Sequence, residues 1–321
     1  MPRLGVLGTL VLDTIHLPPT TGGRTPAPLS DWGGIAYSLC ALEASAPRGR
    51  EILPILKVGE DLRREADDFL SELTRIRSLE GVVTVPEANN RVELYYQSGP
   101  RRCEKLTGGV PGWGWSELAP LADSCDALIV NFIAGWEMDL PVAQRLRDAH
   151  AGPIYADVHS LLLAVGADGV RILRPLPEWP AWRECFDQVQ MNEEELAALT
   201  PAGSDPVTTA RESVAGGPRV LFVTRGDRGA SWWSRDSDAG GEVRTGHEPS
   251  DPVPGELADP TGCGDVWGAA CAAALLEGED PAGAARRANL LAGAAARHRG
   301  TSGLAGTLRG LIQAIGEREP A

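Results

Sequence analysis

The chain has 321 residues, of which 43% are hydrophobic, so it is long enough for one large domain or two smaller ones with a full core. Its 30 lysines and arginines stand against 44 aspartates and glutamates, which gives a formal charge of -14. This acidic balance argues against a nucleic-acid or anionic-membrane partner, and any anionic ligand must be held by a local site.

Strands and helices alternate in the predicted element order. Short apolar runs predict strands at Leu4–Leu12, Ile52–Val58, Ala127–Phe132, Pro153–Asp157, Phe186–Met191 and Arg219–Thr224. Helices are predicted beside them at Ile35–Ala44, Gly59–Ile76 and Pro141–His150, and the chain becomes mainly helical after residue 263. This order predicts an α/β fold in which a mostly parallel central sheet is covered by helices on both faces.

Two segments interrupt the alternation, at about residues 14–32 and 88–112. The first is rich in Pro, Gly and Thr, and the second contains NRVELYYQ, whose alternation is typical of a half-exposed strand. They are either a small β lid over one edge of the sheet or two surface loops. No internal repeat or clean linker is present, so residues 1–321 are expected to form a single domain.

The stretch DPTGCGDVWGAA, residues 259–270, predicts a tight corner that leads into a helix. Its proline and glycines end any preceding strand, and the Ala-rich run Val266–Leu276 favours a buried helix. The backbone N–H groups of Gly262, Cys263 and Gly264 are therefore expected at a helix N-terminus, where they can receive an anion. Asp265 is either a helix cap or a carboxylate with a chemical role of its own.

Several common sites are excluded by their missing motifs. The only lysines are Lys57 and Lys105, and neither follows a glycine, so there is no Walker A loop. H-E-x-x-H and G-x-S-x-G are also absent. The six cysteines form no C-x-x-C pair, which fits a reducing cytoplasm better than a disulfide framework or a zinc ribbon. No signal peptide or membrane span is predicted, so a cytoplasmic location is expected.

DPTGCGD resembles the C-terminal signature of the ribokinase-like (PfkB) carbohydrate kinases, whose usual form is Asp-Thr-x-Gly-Ala-Gly-Asp. Other segments follow in the family's order: a first strand ending at Asp13, WGGIAYS at 32–38, MNEEE at 191–195 and VTRGDRGA at 223–230. The resemblance covers nearly the whole chain. It implies a ribokinase-like fold and an ATP- and Mg²⁺-dependent kinase that phosphorylates a hydroxymethyl group of a small sugar or related polyol.

The resemblance also assigns roles to individual residues. Asp265 corresponds to the catalytic base, and Gly262, Cys263 and Gly264 correspond to the anion hole for the transferred phosphate. Cys263 stands where the family usually has Ala. The nucleotide and its Mg²⁺ are assigned to Asn192, Glu195, Thr224, Gly226, Gly229 and Asn289, with Glu195 orienting the metal through water and Asn289 bordering the adenine.

Substrate residues follow from the N-terminal part of the resemblance. Asp13, Gly33 and Gly34 match positions that hold sugar hydroxyls. Ser38 stands at about the place of the family's usual Asn, so the pattern of hydrogen bonds must differ. Asp157 either adds a sugar contact or is a satisfied carboxylate at a strand end.

Some implications stay open at this point. Asp259 and Thr261, together with the RGTSG loop at 299–303, either hold K⁺ or, in the case of Asp259, cap a turn. The small-molecule partner is a sugar, and a homodimer through the lid is a further expectation. The alternatives are a nucleoside kinase of the same fold, with Tyr37, Tyr95, Tyr96 or Trp113 forming a slot for the base, and a non-catalytic ligand sensor.

Overall fold

The structure is a computed structural model that describes residues 1–16, 25, 27–96, 102–235, 242–250, 255 and 257–316. The strands of this part of the chain are β1 (Arg3–Leu7), β2 (Leu10–His16), β3 (Leu29–Gly34), β4 (Glu51–Gly59), β5 (Val82–Val85), β6 (Arg91–Tyr96), β7 (Arg102–Thr107), β8 (Ala127–Asn131), β9 (Ile154–Asp157), β10 (Leu163–Val165), β11 (Arg171–Leu173), β12 (Gln188–Asn192), β13 (Val220–Thr224), β14 (Ala230–Ser234) and β15 (Arg244–Glu248). The α-helices are α1 (Ile35–Ser45), α2 (Arg63–Ser71), α3 (Trp115–Asp123), α4 (Leu140–Ala149), α5 (Trp179–Trp182), α6 (Glu193–Leu199), α7 (Pro206–Ala215), α8 (Cys263–Leu276), α9 (Pro281–Ala295) and α10 (Leu304–Gly316).

A nine-stranded sheet forms the centre of the molecule, in the order β15-β14-β13-β12-β9-β8-β1-β4-β5. Neighbouring strands from β13 to β5 are parallel, whereas β14 and β15 add antiparallel at one edge. Its central strands, such as β1 and β8, are apolar and buried on both faces because helices cover both. The predicted mostly parallel sheet is confirmed.

Two hydrophobic cores lie on opposite faces of this sheet. Alternate residues of one strand enter different cores: Leu4 and Val6 pack with α1, α2, α8, α9 and α10, whereas Leu7 packs with α3, α4, α5, α6 and α7. Helix α8 is rich in alanine because it is buried between α1 and α9, where small side chains permit a close approach of the helices.

A second, four-stranded sheet in the order β3-β2-β6-β7, here called the small sheet, covers one edge of the molecule. Val11, Ile15, Val92, Leu94 and Leu106 form its apolar face and pack against Ile133 of the body. The predicted β lid is therefore present as a sheet, although residues 17–24, 26 and 97–101 of the two predicted lid segments lie outside the described residues.

Two predicted elements are wrong in their extent. Leu4–Leu12 is not one strand, because the chain passes from the large sheet to the small sheet at Gly8 and Thr9. Thr9 instead accepts a backbone hydrogen bond from Ile35 at the start of α1. The helix predicted over Gly59–Ile76 is α2 alone, preceded by a 3₁₀ turn, and Ile76 already pairs with Ile52 as an isolated β-bridge.

Within the described residues, no helix is long and apolar enough to cross a bilayer.

Candidate active site

Polar residues, several of them predicted from the motifs, converge at the carboxyl ends of the parallel strands. Asn131 ends β8 and lies beside Asp157, which ends β9, while Asn192 ends β12 beside Thr224, which ends β13. The start of α8 lies above this edge. In open parallel sheets this edge is where ligands bind, because loops and helix N-termini gather there.

Gly262 is the N-cap of α8 and has a left-handed backbone, with φ of 74°. A Cβ at this position would lie 2.2 Å from Cγ of Tyr37, so the Tyr37 ring packs directly on the glycine. Only glycine satisfies both demands without strain. Tyr37 thus fixes the corner that the DPTGCGD segment makes.

Asp265 is held from two sides in the first turn of α8. Asn131 Nδ2 donates to Asp265 Oδ1 at 2.7 Å and to Ser38 Oγ at 3.1 Å. Ser38 Oγ donates in turn to the backbone carbonyl of Asp265 at 3.3 Å. The side chain predicted to act as a base is therefore oriented by a buried network, and Ser38 belongs to that network.

The backbone amides predicted to form the anion hole lie beside Asp265. Residues 262–264 lie in or before the first turn of α8, where amides have no carbonyl four residues earlier in the helix. Cys263 N nevertheless makes a long hydrogen bond of 3.4 Å to the carbonyl of Pro260. Cys263 is half-buried, Gly264 is exposed, and the carbonyl of Gly264 accepts from Gln190 Nε2 at 3.0 Å. The helix dipole adds positive potential at the same place, which favours an anion.

The predicted sugar-binding residues lie next to α1. Asp13 is buried on β2, and a Cβ on Gly33 would lie 2.0 Å from Asp13 Oδ2, so the carboxylate rests against the glycine backbone. Gly34 is the N-cap of α1. Burial, and after it the charges of Asp13 and other nearby aspartates, raise the pKa of Tyr37 above its ordinary value.

A buried carboxylate cluster extends from Asp265 to α6. Burial, followed by the charge of Glu195, raises the pKa of Asp157 from 3.8 to about 8, and Asp265 contributes in the same direction. Desolvation lowers the pKa of His159, but contact with Glu195 Oε1 outweighs it and the pKa of His159 is raised to about 9. The carboxylates of Asp157, Glu195 and Asp265 thus repel one another in a buried site, and His159 offsets part of that repulsion.

Glu195 and Asn192 form a capping box at the start of α6. Glu195 N donates to Asn192 Oδ1 at 2.9 Å, and Asn192 N donates to Glu195 Oε2 at 2.7 Å. Glu193, on the same turn, pairs with Arg228 at the surface. The structure therefore gives Glu195 a capping role in addition to its place in the carboxylate cluster.

The residues predicted to bind the nucleotide occupy the next strand and α9. Thr224 ends β13, and Gly226 and Gly229 bound the turn that leads into β14. The Asn289 side chain is fully used by the protein: its Oδ1 accepts from Trp267 Nε1 at 2.8 Å, and its Nδ2 donates to the carbonyls of Glu248 and Pro249. Asn289 thus holds the 248–249 segment.

The predicted cation residues are engaged in local bonds. Asp259 Oδ1 accepts a hydrogen bond from Thr261 N at 2.9 Å. This bond caps the turn, which is the role predicted for Asp259 as the alternative to K⁺ binding. Thr261 Oγ1 lies 2.8 Å from the hydroxyl of Tyr96 on the small sheet. The 299–303 loop is fixed by Asp31, which accepts from Thr301 N at 2.8 Å and from Thr301 Oγ1 at 3.1 Å.

The chemistry of the cluster fits a hydrated divalent cation. Among the described residues, no group of three or more His, Cys, Asp or Glu side chains forms a cage that could hold a metal by itself. However, Asp157 and Glu195 present carboxylates that repel each other, and the charged His159 beside Glu195 relieves only part of this repulsion, since the pKa of Asp157 remains raised to about 8. Mg²⁺ commonly keeps several waters and takes few protein ligands, so this sparse set suits it.

Two contributing residues were not singled out from the sequence: Asn131 and Gln190. Asn131 and Gln190 each stand near the end of an apolar strand, and a polar residue at that position is a usable signal in a parallel sheet. Glu137 was also missed. It is buried and accepts from Thr9 Oγ1 and from the backbone N–H groups of residues 133–135, which fixes the loop after β8.

A family model described as pfkB family carbohydrate kinase matches residues 169–307. Ribokinase from Bacillus subtilis (strain 168) is 37% identical over 121 residues, which cover 37% of this chain and 36% of that protein. The match thus spans about a third of the length of that relative.

Solved structures resemble the chain over nearly its whole length. Nucleoside kinase from Burkholderia thailandensis in complex with inosine has a TM-score of 0.73 and 19% identity, covering 99% of this chain and 100% of that one. Arabidopsis thaliana ribokinase complexed with ribose and ATP has a TM-score of 0.67 and 18% identity, covering 96% and 99%. The predicted fold is confirmed.

Proposed function

Since this chain belongs to the ribokinase-like pfkB family of carbohydrate kinases, we propose that it transfers the terminal phosphoryl group of ATP to a hydroxymethyl group of a small sugar or related polyol. One observation carries the proposal: the first turn of α8 presents an oriented carboxylate, Asp265, beside backbone donors. The carboxylate accepts the proton of the acceptor hydroxyl, and the backbone donors bind the phosphate.

Asp265 acts as the general base. Its carboxylate accepts the proton of the acceptor hydroxyl as the new O–P bond forms and the bond to the leaving ADP oxygen breaks. Asn131 fixes the direction of the carboxylate through Oδ1, and Ser38 fixes the backbone of the same residue. This arrangement orients the base before the substrate arrives.

The amides of Gly262, Cys263 and Gly264 stabilise the charge on the transferred group. They act at a helix N-terminus, and Cys263 N, whose bond to the carbonyl of Pro260 is long at 3.4 Å, would share its hydrogen between that carbonyl and a phosphate oxygen. Cys263 takes part through its backbone, so its thiol in place of the family's usual methyl group does not remove a donor.

ATP would lie over Thr224, Gly226 and Gly229, with Asn289 shaping its border through the 248–249 segment. Asn192, Glu195 and Asp157 would hold Mg²⁺ through water. When bound, Mg²⁺ supplies neutralisation of the phosphate charges. A K⁺ ion at Asp259, Thr261 and the 299–303 loop, including Ser302, would fix the anion hole. The alternative is that Asp259 serves the turn alone.

Asp13 and the backbone of Gly33 and Gly34 would bind the sugar hydroxyls. The positions of the aromatic residues favour a sugar over a nucleoside. Tyr37 is buried against Gly262, and Trp113 is buried beneath the Lys57 ammonium, which lies 4.8 Å from its ring centroid.

Tyr95 stacks on His16, with ring centroids 4.4 Å apart. Because side chains alternate along a strand, both rings lie on the face of the small sheet opposite Asp13. Of the four candidates for a base slot, only Tyr96 remains on the site face. A nucleoside kinase is the second candidate function because a nucleoside kinase shares the fold over its whole length.

The test is a panel of sugars and nucleosides, measured by thermal shift with a non-hydrolysable ATP analogue and by ATP turnover. Turnover with a sugar and not with nucleosides supports the proposal. Turnover with nucleosides alone overturns the sugar assignment. Binding without turnover of any panel member supports a ligand sensor instead.

The proposal includes two further expectations, a cytoplasmic location and a homodimer. The six cysteines are free thiols, which supports a cytoplasmic location. A homodimer through the small sheet would appear in sedimentation as twice the mass of the chain, and a single-chain mass would contradict it.

A further inference from the structure

A cavity of about 500 Å³ lies away from the active site and is rich in arginine. It is formed by the end of α1, the 46–51 segment, the 74–77 segment, the residue after α8, and α9 and α10. Six arginines and three glutamates line it. The arginines are Arg48, Arg50, Arg75, Arg77, Arg287 and Arg309.

The glutamates do not neutralise these arginines one for one. Glu43 pairs with Arg309 at 2.8 Å, Glu277 pairs with Arg287, and Glu51 pairs with Arg3, which is not part of the cavity wall. Among the described residues, Arg48, Arg50, Arg75 and Arg77 have no carboxylate at ion-pair distance. The cavity therefore carries an excess of positive charge in a chain whose net charge is -14.

The guanidinium of Arg50 supplies an independent observation. Its Nη1 is buried and has no hydrogen-bond partner among the described residues. Arg75 is held beside it, because Arg75 Nε donates to the carbonyl of Glu43 at 3.1 Å and Nη1 to that of Pro47 at 3.2 Å. A buried donor without an acceptor is costly, so an acceptor that enters the cavity is favoured.

The chemistry of the ligand follows from these groups. Guanidinium groups bind phosphate oxygens through paired, charge-assisted hydrogen bonds. The volume suits a small molecule, and the acidic remainder of the surface disfavours a nucleic acid. We propose that this cavity binds a small phosphorylated molecule, as a second anion site separate from the anion hole of α8.

The cavity and the active site lie at opposite ends of the same helices. The first turns of α1 carry Tyr37 and Ser38 of the active site, and its last residue, Ser45, lies in the cavity wall. Helix α8 runs from the predicted anion hole to its C-cap residue Glu277, which also lies in that wall. Fourteen residues of α8 at 1.5 Å each separate the two sites by about 20 Å. An occupant of the cavity cannot touch a nucleotide at Gly262–Gly264.

The test compares the wild type with the double variant Arg50→Gln/Arg77→Gln. The matched control is Arg64→Gln/Arg145→Gln, which removes the same charge from exposed positions outside the cavity. Isothermal titration calorimetry with ribose 5-phosphate and, separately, inorganic phosphate at millimolar concentration measures binding. Thermal unfolding without ligand checks that both variants fold.

We expect ribose 5-phosphate to bind the cavity variant about tenfold more weakly, or not at all, with the control unchanged. Hydrogen exchange in the wild type should show ligand protection at residues 43–51 and 74–77. If the wild type binds inorganic phosphate as tightly as ribose 5-phosphate, the cavity is a site for the free anion, and the proposal of a phosphorylated molecule is overturned. Identical binding by all three proteins, or protection confined to the 259–265 segment, overturns the proposal.

Discussion

Asn131 Nδ2 lies 2.7 Å from Asp265 Oδ1, and this contact joins the end of the central sheet to the first turn of α8. An ionised carboxylate only accepts hydrogen bonds, so the amide must present its nitrogen to Asp265. Asn131 Oδ1 is then left buried without a partner among the described residues. Such an oxygen costs about 1–3 kcal/mol, and the Asp265 carboxylate is oriented despite that cost.

Asp265→Asn should reduce kcat by about two to four orders of magnitude, because the amide cannot accept the proton of the acceptor hydroxyl. The affinity for ATP should stay within about twofold, since the backbone donors remain. Steady-state turnover and binding of a non-hydrolysable ATP analogue measure the two effects. Near-normal turnover on the true substrate would remove Asp265 from the role of base.

Asn131→Ala should reduce kcat by about ten- to a hundredfold, because it releases the Asp265 carboxylate. If Asn131 acts through Asp265, the same change in an Asp265→Asn background should have little further effect. The four proteins of this cycle are compared by kcat at saturating substrates. Independent, multiplicative losses would show that Asn131 acts by another route.

Gly262→Ala and Gly264→Ala form a matched pair at the anion hole. At Gly262 the added methyl meets the Tyr37 ring, and the left-handed backbone alone costs about 1–2 kcal/mol. At Gly264 the nearest neighbour is 4.0 Å away, in ordinary contact. We therefore expect Gly262→Ala to lower both the melting temperature and the turnover, and Gly264→Ala to leave the melting temperature unchanged. Equal melting temperatures for the two variants would contradict the packing of Tyr37 on Gly262.

Asp157→Asn should stabilise the protein relative to the wild type at pH 8 more than at pH 5. Folding raises the pKa of Asp157 from 3.8 to about 8. Between these two pH values, Asp157 therefore carries a proton more often in the folded protein than in the unfolded chain. Stability is therefore lost as the pH rises through that window, by up to about 1.4 kcal/mol per pH unit. Asparagine does not titrate and escapes this loss.

Denaturant unfolding in EDTA across pH 5–8 measures the difference between the two proteins. A difference that is independent of pH would place the ionised carboxylate in a more polar setting than its burial indicates.

Potassium should raise turnover more than it changes sugar affinity if Asp259, Thr261 and the 299–303 loop hold a cation, because the ion would fix the anion hole. The rate is measured in K⁺, Na⁺ and a bulky organic cation at constant ionic strength. Equal rates in all three would leave Asp259 with the turn it makes to Thr261 N.

The sequence predicted the central elements well because their signals are local. The Ala-rich run after Asp265 and the apolar strands carry their own periodicity, so the buried helix α8 and the parallel sheet were predicted correctly. The break between β1 and β2 at Gly8 and Thr9 was not predicted. The sequence is apolar on both sides of it, and β1 ends only because the chain passes from the large sheet to the small sheet. Long-range pairing decides such a boundary.

In the site, too, the features with a local sequence signal were predicted and those that depend on long-range contacts were not. The motif residues Asp265 and Gly262–Gly264 occur in one segment, and the segment itself indicates a helix start. Asn131 is 134 residues from Asp265 in sequence, and no local pattern connects the two. Likewise Asn289 carries the expected residue type, but its hydrogen bonds to Trp267 and the 248–249 carbonyls depend on tertiary packing.

The 2.8 Å contact between Tyr96 and Thr261 gives the small sheet a thermodynamic connection to the phosphate end of the site. Tyr96 lies on β6, whereas Thr261 immediately precedes the left-handed Gly262. A sugar that holds the small sheet in place would also restrain the segment proposed to receive the phosphate, so binding of the second reactant would cost the protein less conformational entropy. Because linkage is reciprocal, the two substrates of the proposed reaction would then bind with positive cooperativity, each increasing the affinity for the other by the same factor.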